Sequence, residues 1–72
     1  NPAKDDATLL FTNPNNEQFN VTVYDITGRN VFAAANVTGT RFEVPASKFE
    51  RGVYVVELAF KDRRNSLRLV VQ

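Results

Sequence analysis

Seventy-two residues with nine Lys or Arg against eight Asp or Glu carry a net charge of +1, and neither Cys nor His occurs. That balance excludes steering of the whole domain onto nucleic acid or an anionic membrane, and without thiol or imidazole there is no disulfide, no thiolate metal site and no ordinary general base near neutral pH. Folding removes only about 60% of the unfolded surface of so short a chain, so six Phe, two Tyr and the Val and Leu residues must build a small core without Trp or Met.

Asn1 to Asp6 is polar, contains Pro2 and reads as extended or irregular. Ala7, Leu9 and Phe11 alternate with Thr8 and Thr12 in a first strand, and Leu10 interrupts its polar face as if both sides were covered. Asn13-Pro14-Asn15-Asn16 forms a turn in which Asn15 or Asn16 takes the left-handed conformation. The central strand runs from Gln18 to Ile26, with Phe19, Val21 and Val23 on one face and Asn20 and Thr22 on the other. It ends in a turn tied by the Asp25 carboxylate, which accepts backbone N–H groups two or three positions on, and freed by Gly28.

Val31, Ala33 and Ala35 alternate in a weaker third strand that Phe32 helps to anchor, and Val37-Thr38-Gly39 turns the chain. Arg41 and Glu43 oppose Phe42 and Val44 in a fourth strand that Pro45 ends. Ala46 to Arg51 holds the one helical or 3₁₀ turn, with Ser47 as its cap and Phe49 reaching the core, before Gly52 resets the backbone. Val53 to Lys61 is the longest apolar strand, its Tyr54, Val56, Leu58 and Phe60 face turned to the core. Lys61 to Asn65 makes a charged connection, and Leu67, Leu69 and Val71 alternate with Arg68, Val70 and Gln72 in a last strand with no tail to cover its edge. Six strands with short connections imply an all-β antiparallel sandwich; an SH3-like or other small barrel fits the same periodicity.

No stretch approaches the roughly 18 consecutive apolar residues of a membrane span, and the start lacks the pattern of a signal peptide. A chain opening on Asn1 instead of Met is expected to be a piece of a longer protein. Glycines 28, 39 and 52 are too far apart for a phosphate-cradling loop. Asn13, Asn15, Asn16 and Glu17 offer oxygens to Ca²⁺, but one carboxylate among amides reads as ordinary turn polarity. Asn20-Val21-Thr22 and Asn36-Val37-Thr38 match the short N-glycosylation pattern, with Asn20 poorly placed at a strand centre. Carboxylate chemistry finds no pair: Asp5 and Asp6 lie at the start, Glu43 and Glu57 on solvent faces, and Asp25 in its turn. Tyr24 and Tyr54 either brace the sandwich or, if exposed, offer a platform to sugar. Lys61, Arg63, Arg64 and Arg68 either guard an edge or dock a protein partner.

Four stretches together carry a family resemblance: Asn1-Pro2-Ala3, Val21-Thr22-Val23-Tyr24-Asp25-Ile26-Thr27-Gly28-Arg29, Gly52-Val53-Tyr54-Val55-Val56 and Leu67-Arg68-Leu69-Val70-Val71-Gln72. In their order and spacing the chain resembles, over residues 1–72, the type A C-terminal sorting domain of the type IX secretion system of Bacteroidetes. The resemblance implies a single domain with an immunoglobulin-like β-sandwich of about seven strands. It implies no enzyme and no cofactor, but an address carried through the periplasm by an upstream cargo domain and read by the outer-membrane translocon, with the cargo ending at the cell surface or secreted. It further implies removal by a sortase-like peptidase, with attachment of the cargo to lipopolysaccharide.

Asp25, Gly28 and Arg29 match the family's hairpin motif, Gly52 and Tyr54 its glycine-tyrosine motif, and Leu67, Leu69 and Val71 its terminal strand. The family's usual lysine before the last hydrophobic group is replaced by Arg68, a fork instead of a point charge. The expected recognition residues are Arg63, Arg64, Leu67, Arg68, Leu69, Val70, Val71 and Gln72. An open edge at this strand would admit an added strand or a second copy of the chain. A fibronectin-like or carbohydrate-binding accessory module is the other reading, and neither involves nucleic acid or membrane insertion.

Overall fold

A computed structural model describes residues 2–3 and 6–72, Pro2 and Ala3 by backbone alone. In chain order it contains β1 (Pro2–Ala3), β2 (Ala7–Leu10), β3 (Phe19–Asp25), β4 (Asn30–Val37), β5 (Arg41–Val44), a 3₁₀ turn (Ala46–Lys48), β6 (Gly52–Ala59) and β7 (Arg64–Val71). A five-stranded sheet is ordered β1-β7-β6-β3-β4, and β2 and β5 form a second sheet. Two separate sheets around one set of apolar faces make a sandwich compatible with an immunoglobulin-like fold, and the barrel alternative falls.

All pairings are antiparallel except one: β1 runs parallel to β7, Pro2 opposite Val70 and Ala3 opposite Val71. This strand escapes sequence reading because two residues carry no period. The expectation of an extended start holds at Pro2–Ala3, while Asn1, Lys4 and Asp5 lie outside the described residues.

The core follows the two-residue period of β3 and β6. Phe19, Val21 and Val23 from β3 and Tyr54, Val56 and Leu58 from β6 are buried, joined by Phe60 beyond β6 and by Ala7, Leu9, Val44 and Ala46. Each fully buried Val, Leu or Phe contributes about 1.5–3 kcal/mol. Alternation along β2 turns Leu10 away from the core, where no further layer among the described residues covers it, so it is 76% exposed instead of enclosed; the second sheet supplies only two strands, and Leu67 on the inward face of β7 is 38% exposed.

In β4 Phe32 anchors the strand as expected, but Val31, Ala33 and Ala35 do not keep to one face. Two register shifts against β3, between Phe19 and Val21 and between Val23 and Tyr24, each place an extra residue in β4. Phe32, Ala34 and Val37 therefore pack on the core together with Val31, and Ala33 and Ala35 are exposed. Asn36, at φ 58°, lies at the first bulge, and its N–H donates to Asn20 Oδ1 at 3.2 Å.

Asn13 joins two turns. Buried to 5% exposure, its Nδ2 donates to the carbonyls of Glu17 at 3.0 Å and Gly39 at 2.8 Å, and its Oδ1 accepts the Glu17 N–H at 3.0 Å. Asn16 takes the left-handed conformation at φ 47°, and its Oδ1 accepts the Gly39 N–H at 2.8 Å. The 3₁₀ turn starts after Pro45 without a side-chain cap. Ser47 instead donates from Oγ to Asp6 Oδ1 at 2.7 Å, tying the 3₁₀ turn to the start of the chain. Its position inside the turn leaves it too late to cap.

Candidate recognition surface

Alternation along β7 sends Asn65, Leu67, Leu69 and Val71 inward and Arg64, Ser66, Arg68 and Val70 outward. Leu69 lies opposite Tyr54 and Val71 opposite Gly52, and both are buried, so these two side chains hold the strand. On the side away from β6, β1 covers Val70 and Val71, which corrects the expectation of a wholly open edge. From Arg64 to Leu69 that edge has no strand partner among the described residues. Gln72 follows β7 and is exposed.

The four basic residues do not form one patch. The connection between β6 and β7 closes when the Phe60 N–H donates to the Arg63 carbonyl at 2.8 Å. Arg63 lies against the body: its Nη1 donates to Glu17 Oε1 at 3.0 Å and to Asp62 Oδ1 at 3.3 Å, and its guanidinium stacks 3.9 Å from the centre of the Phe60 ring. The hydrogen bond to Glu17 raises the pKa of Arg63 further above its already high value. The Phe60 ring stands 5.0 Å from Phe19, which meets Phe11 edge-on at 4.9 Å, so Arg63 caps an aromatic stack.

Arg64 belongs to β7, not to the preceding turn, and holds Glu57 loosely at 3.6 Å with its side chain 72% exposed. Arg68 is exposed and has no ion pair among the described residues. Arg64 and Arg68 share the outer face, about 13 Å apart at strand rise. Beside Arg64 a hollow of about 660 Å³ is lined by Glu17, Gln18, Asn20, Asn36 and Lys61.

The two internal motifs meet at the other end of the sheet, since Asp25 lies opposite Tyr54 and Gly52 opposite Val71. Asp25 Oδ1 accepts from the Thr27 N–H at 3.0 Å, the Thr27 hydroxyl at 2.6 Å and the Arg29 N–H at 3.0 Å. Its Oδ2 accepts from Arg29 Nε at 3.1 Å. Gly28, at φ 89°, supplies the left-handed residue that lets its N–H reach the Asp25 carbonyl at 3.0 Å. The Thr27 hydroxyl first, then the backbone N–H groups and Arg29, hold the Asp25 carboxyl below its usual pKa. An ionised acceptor so engaged has no proton to give near neutrality, which fits a turn residue and not a general acid.

Tyr54 is buried and its hydroxyl donates to the Glu50 carbonyl at 2.6 Å, with its ring 5.1 Å from Phe49. It braces the core and is closed to a sugar. Sequence reading missed the exposure of Ile26 and the reach of Asn13. Ile26, 78% exposed, stands at the tip of the Asp25 turn, and nothing in an apolar residue beside a strand end announces its exposure. Asn13 was legible as turn polarity, but its bond to Gly39, 26 residues away, was not.

Among the described residues no helix is long and apolar enough to cross a membrane, and no three acidic residues gather to hold a metal ion. Comparison with protein families matches residues 1–72 to the family described as secretion system C-terminal sorting domain. No curated protein and no solved structure matches the chain.

Proposed function

The chain belongs to the type IX secretion-system C-terminal sorting domain family, and from that premise we propose that the export machinery reads β7 through its open edge, Arg64 and Arg68. The family is the C-terminal sorting signal for type IX secretion, which implies export of an attached cargo to the cell surface or the medium. Residues 1–72 act as one sorting unit, substrate and address instead of catalyst. Transit runs through the periplasm, the outer-membrane translocon is the reader, and a sortase-like peptidase removes the domain and attaches the cargo to lipopolysaccharide.

One observation carries the recognition reading: among the described residues Arg64 to Leu69 has no strand partner on one side, while two exposed cations project from it. Of the eight residues expected to contact the machinery, Leu69 and Val71 serve by anchoring the strand and Arg63 by closing its hairpin. Arg64, Leu67 and Arg68 remain for direct contact, with Val70 and Gln72 flanking where β1 ends the edge.

The test is export of a cargo fused ahead of the domain with its upstream linker, in a secretion-competent strain and a translocon-deficient one. Arrival outside only in the competent strain, with loss of the domain from the cargo, supports the reading. Retention of a folded domain in both moves the accessory-module reading to the front.

A further inference from the structure

The strand edges of the two sheets differ as templates; on the β7 side the bounding strand β1 is only two residues long and leaves most of β7 uncovered among the described residues. β2 and β5 are four residues long. β4 is longer, but its two bulges and left-handed Asn36 break the row of main-chain groups that a partner would follow. β7 is regular: all of its eight residues pair with β6 in unbroken register, from Arg64 opposite Ala59 to Val71 opposite Gly52. Among the described residues its far side is a straight row of donors and acceptors from Arg64 to Leu69, and β1 begins opposite Val70.

The side chains flanking that row define what fits it. On the outer face stand Arg64, Ser66 and Arg68, and on the inner face Asn65 and the 38% exposed Leu67. Residues directly opposite on neighbouring strands share a face with their Cβ atoms about 4.5–5.5 Å apart, close enough for opposite charges to attract and like charges to repel. We propose that the β7 edge takes an extended segment of about six residues from the export machinery, alternating acidic and apolar, with acidic side chains opposite Arg64 and Arg68 and an apolar one beside Leu67. This rests on the sorting reading above and names the chemistry of the partner for it.

Charge complementarity decides between occupants. Arg68 has no described ion-pair partner, and Arg64 holds Glu57 only at 3.6 Å, so both can turn to an incoming carboxylate. One of the two full registers of a second copy of β7 is disfavoured by charge. In the antiparallel register centred on Ser66, Arg64 of one copy would face Arg68 of the other, twice over, as residue numbering along β7 requires. A basic strand is rejected for the same reason.

The experiment measures amide hydrogen exchange in the cargo-bearing protein with three capped six-residue peptides. One alternates Glu and Leu, one alternates Lys and Leu, and one is the Glu–Leu peptide N-methylated on alternate residues. The Glu–Leu peptide should slow exchange within 64–69 by about tenfold or more at saturation and leave β4 unchanged, while the other two should not. In the Arg64→Glu/Arg68→Glu variant the preference should invert, with the Lys–Leu peptide now protecting. Equal protection by both charged peptides, full protection by the N-methylated one, or a dimer in sedimentation that the Glu–Leu peptide dissolves would overturn the proposal.

Export separates the two levels. If deleting residues 64–72 leaves export intact, the sorting reading itself fails. If deletion stops export but the folded charge-reversal variant is exported normally, only the acidic-strand proposal fails.

Discussion

The Asp25 turn and the β7 edge contain the same kinds of residue and use them in opposite ways. At the turn, both carboxylate oxygens of Asp25 are engaged within the chain, three bonds on Oδ1 and one on Oδ2. Along β7, among the described residues, Arg64 has one loose partner and Arg68 none, and one side of the main chain from Arg64 to Leu69 has no strand partner. Polar groups satisfied internally build a rigid end, and those left over are what another protein can read.

The sharpest way to break this division is within β7 itself. Leu69 is 3% exposed and Leu67 is 38% exposed on the same face. Leu69→Ala should cost about 2–5 kcal/mol in denaturant unfolding, and Leu67→Ala clearly less because part of its side chain already meets water. Equal losses would mean that Leu67 is a core residue and not part of the surface.

A second test removes an internal polar bond. Asn13→Ala leaves the Glu17 N–H and the Glu17 and Gly39 carbonyls without their partner, and orphaning buried polar groups costs about 1–3 kcal/mol. The variant should unfold at lower denaturant with an unchanged slope.

The Asp25 turn gives a smaller effect with a definite sign. Its folded-state pKa lies below the unfolded one, so the unfolded chain takes up the proton first on acidification. The stabilisation is complete above the unfolded value, near 4 for an aspartate, and is lost as pH falls through the lower folded-state pKa. Thermal unfolding followed from pH 6 down through this range should show Asp25→Asn with a shallower acid slope than the parent. Parallel slopes would show that the carboxylate charge is not what holds the turn.

The smallest expected change in stability is at the surface pair. Arg64→Glu/Arg68→Glu should shift unfolding by only about 0.5 kcal/mol per site or less, as exposed positions do, which is what makes the pair usable in an export assay.

Much of this arrangement was legible in the residues. β3 and β6 keep an uninterrupted two-residue period, so their buried faces read directly from Phe19, Val21 and Val23 and from Tyr54, Val56 and Leu58. The Asp25 turn is local, its acceptor and donors within four residues. β4 was less legible because each bulge flips the face of everything after it, turning Ala33 and Ala35 away from the face of Val31. Leu67 shows a related limit: period assigns a face but not what covers it. Arg63 resembled its neighbours in a basic run, yet its partner Glu17 lies 46 residues away, a separation at which local pattern carries no information.

On this reading the outward charges of β7 are read by the export machinery and are not needed for the fold. Export of a cargo bearing Arg64→Glu/Arg68→Glu, in a competent strain and with the domain shown to remain folded by thermal unfolding, tests it most directly. The expected result is a folded domain whose cargo stays inside the cell envelope. Undiminished export of that folded variant would contradict the claim and leave β7 as a structural strand whose cations only keep its edge from aggregating.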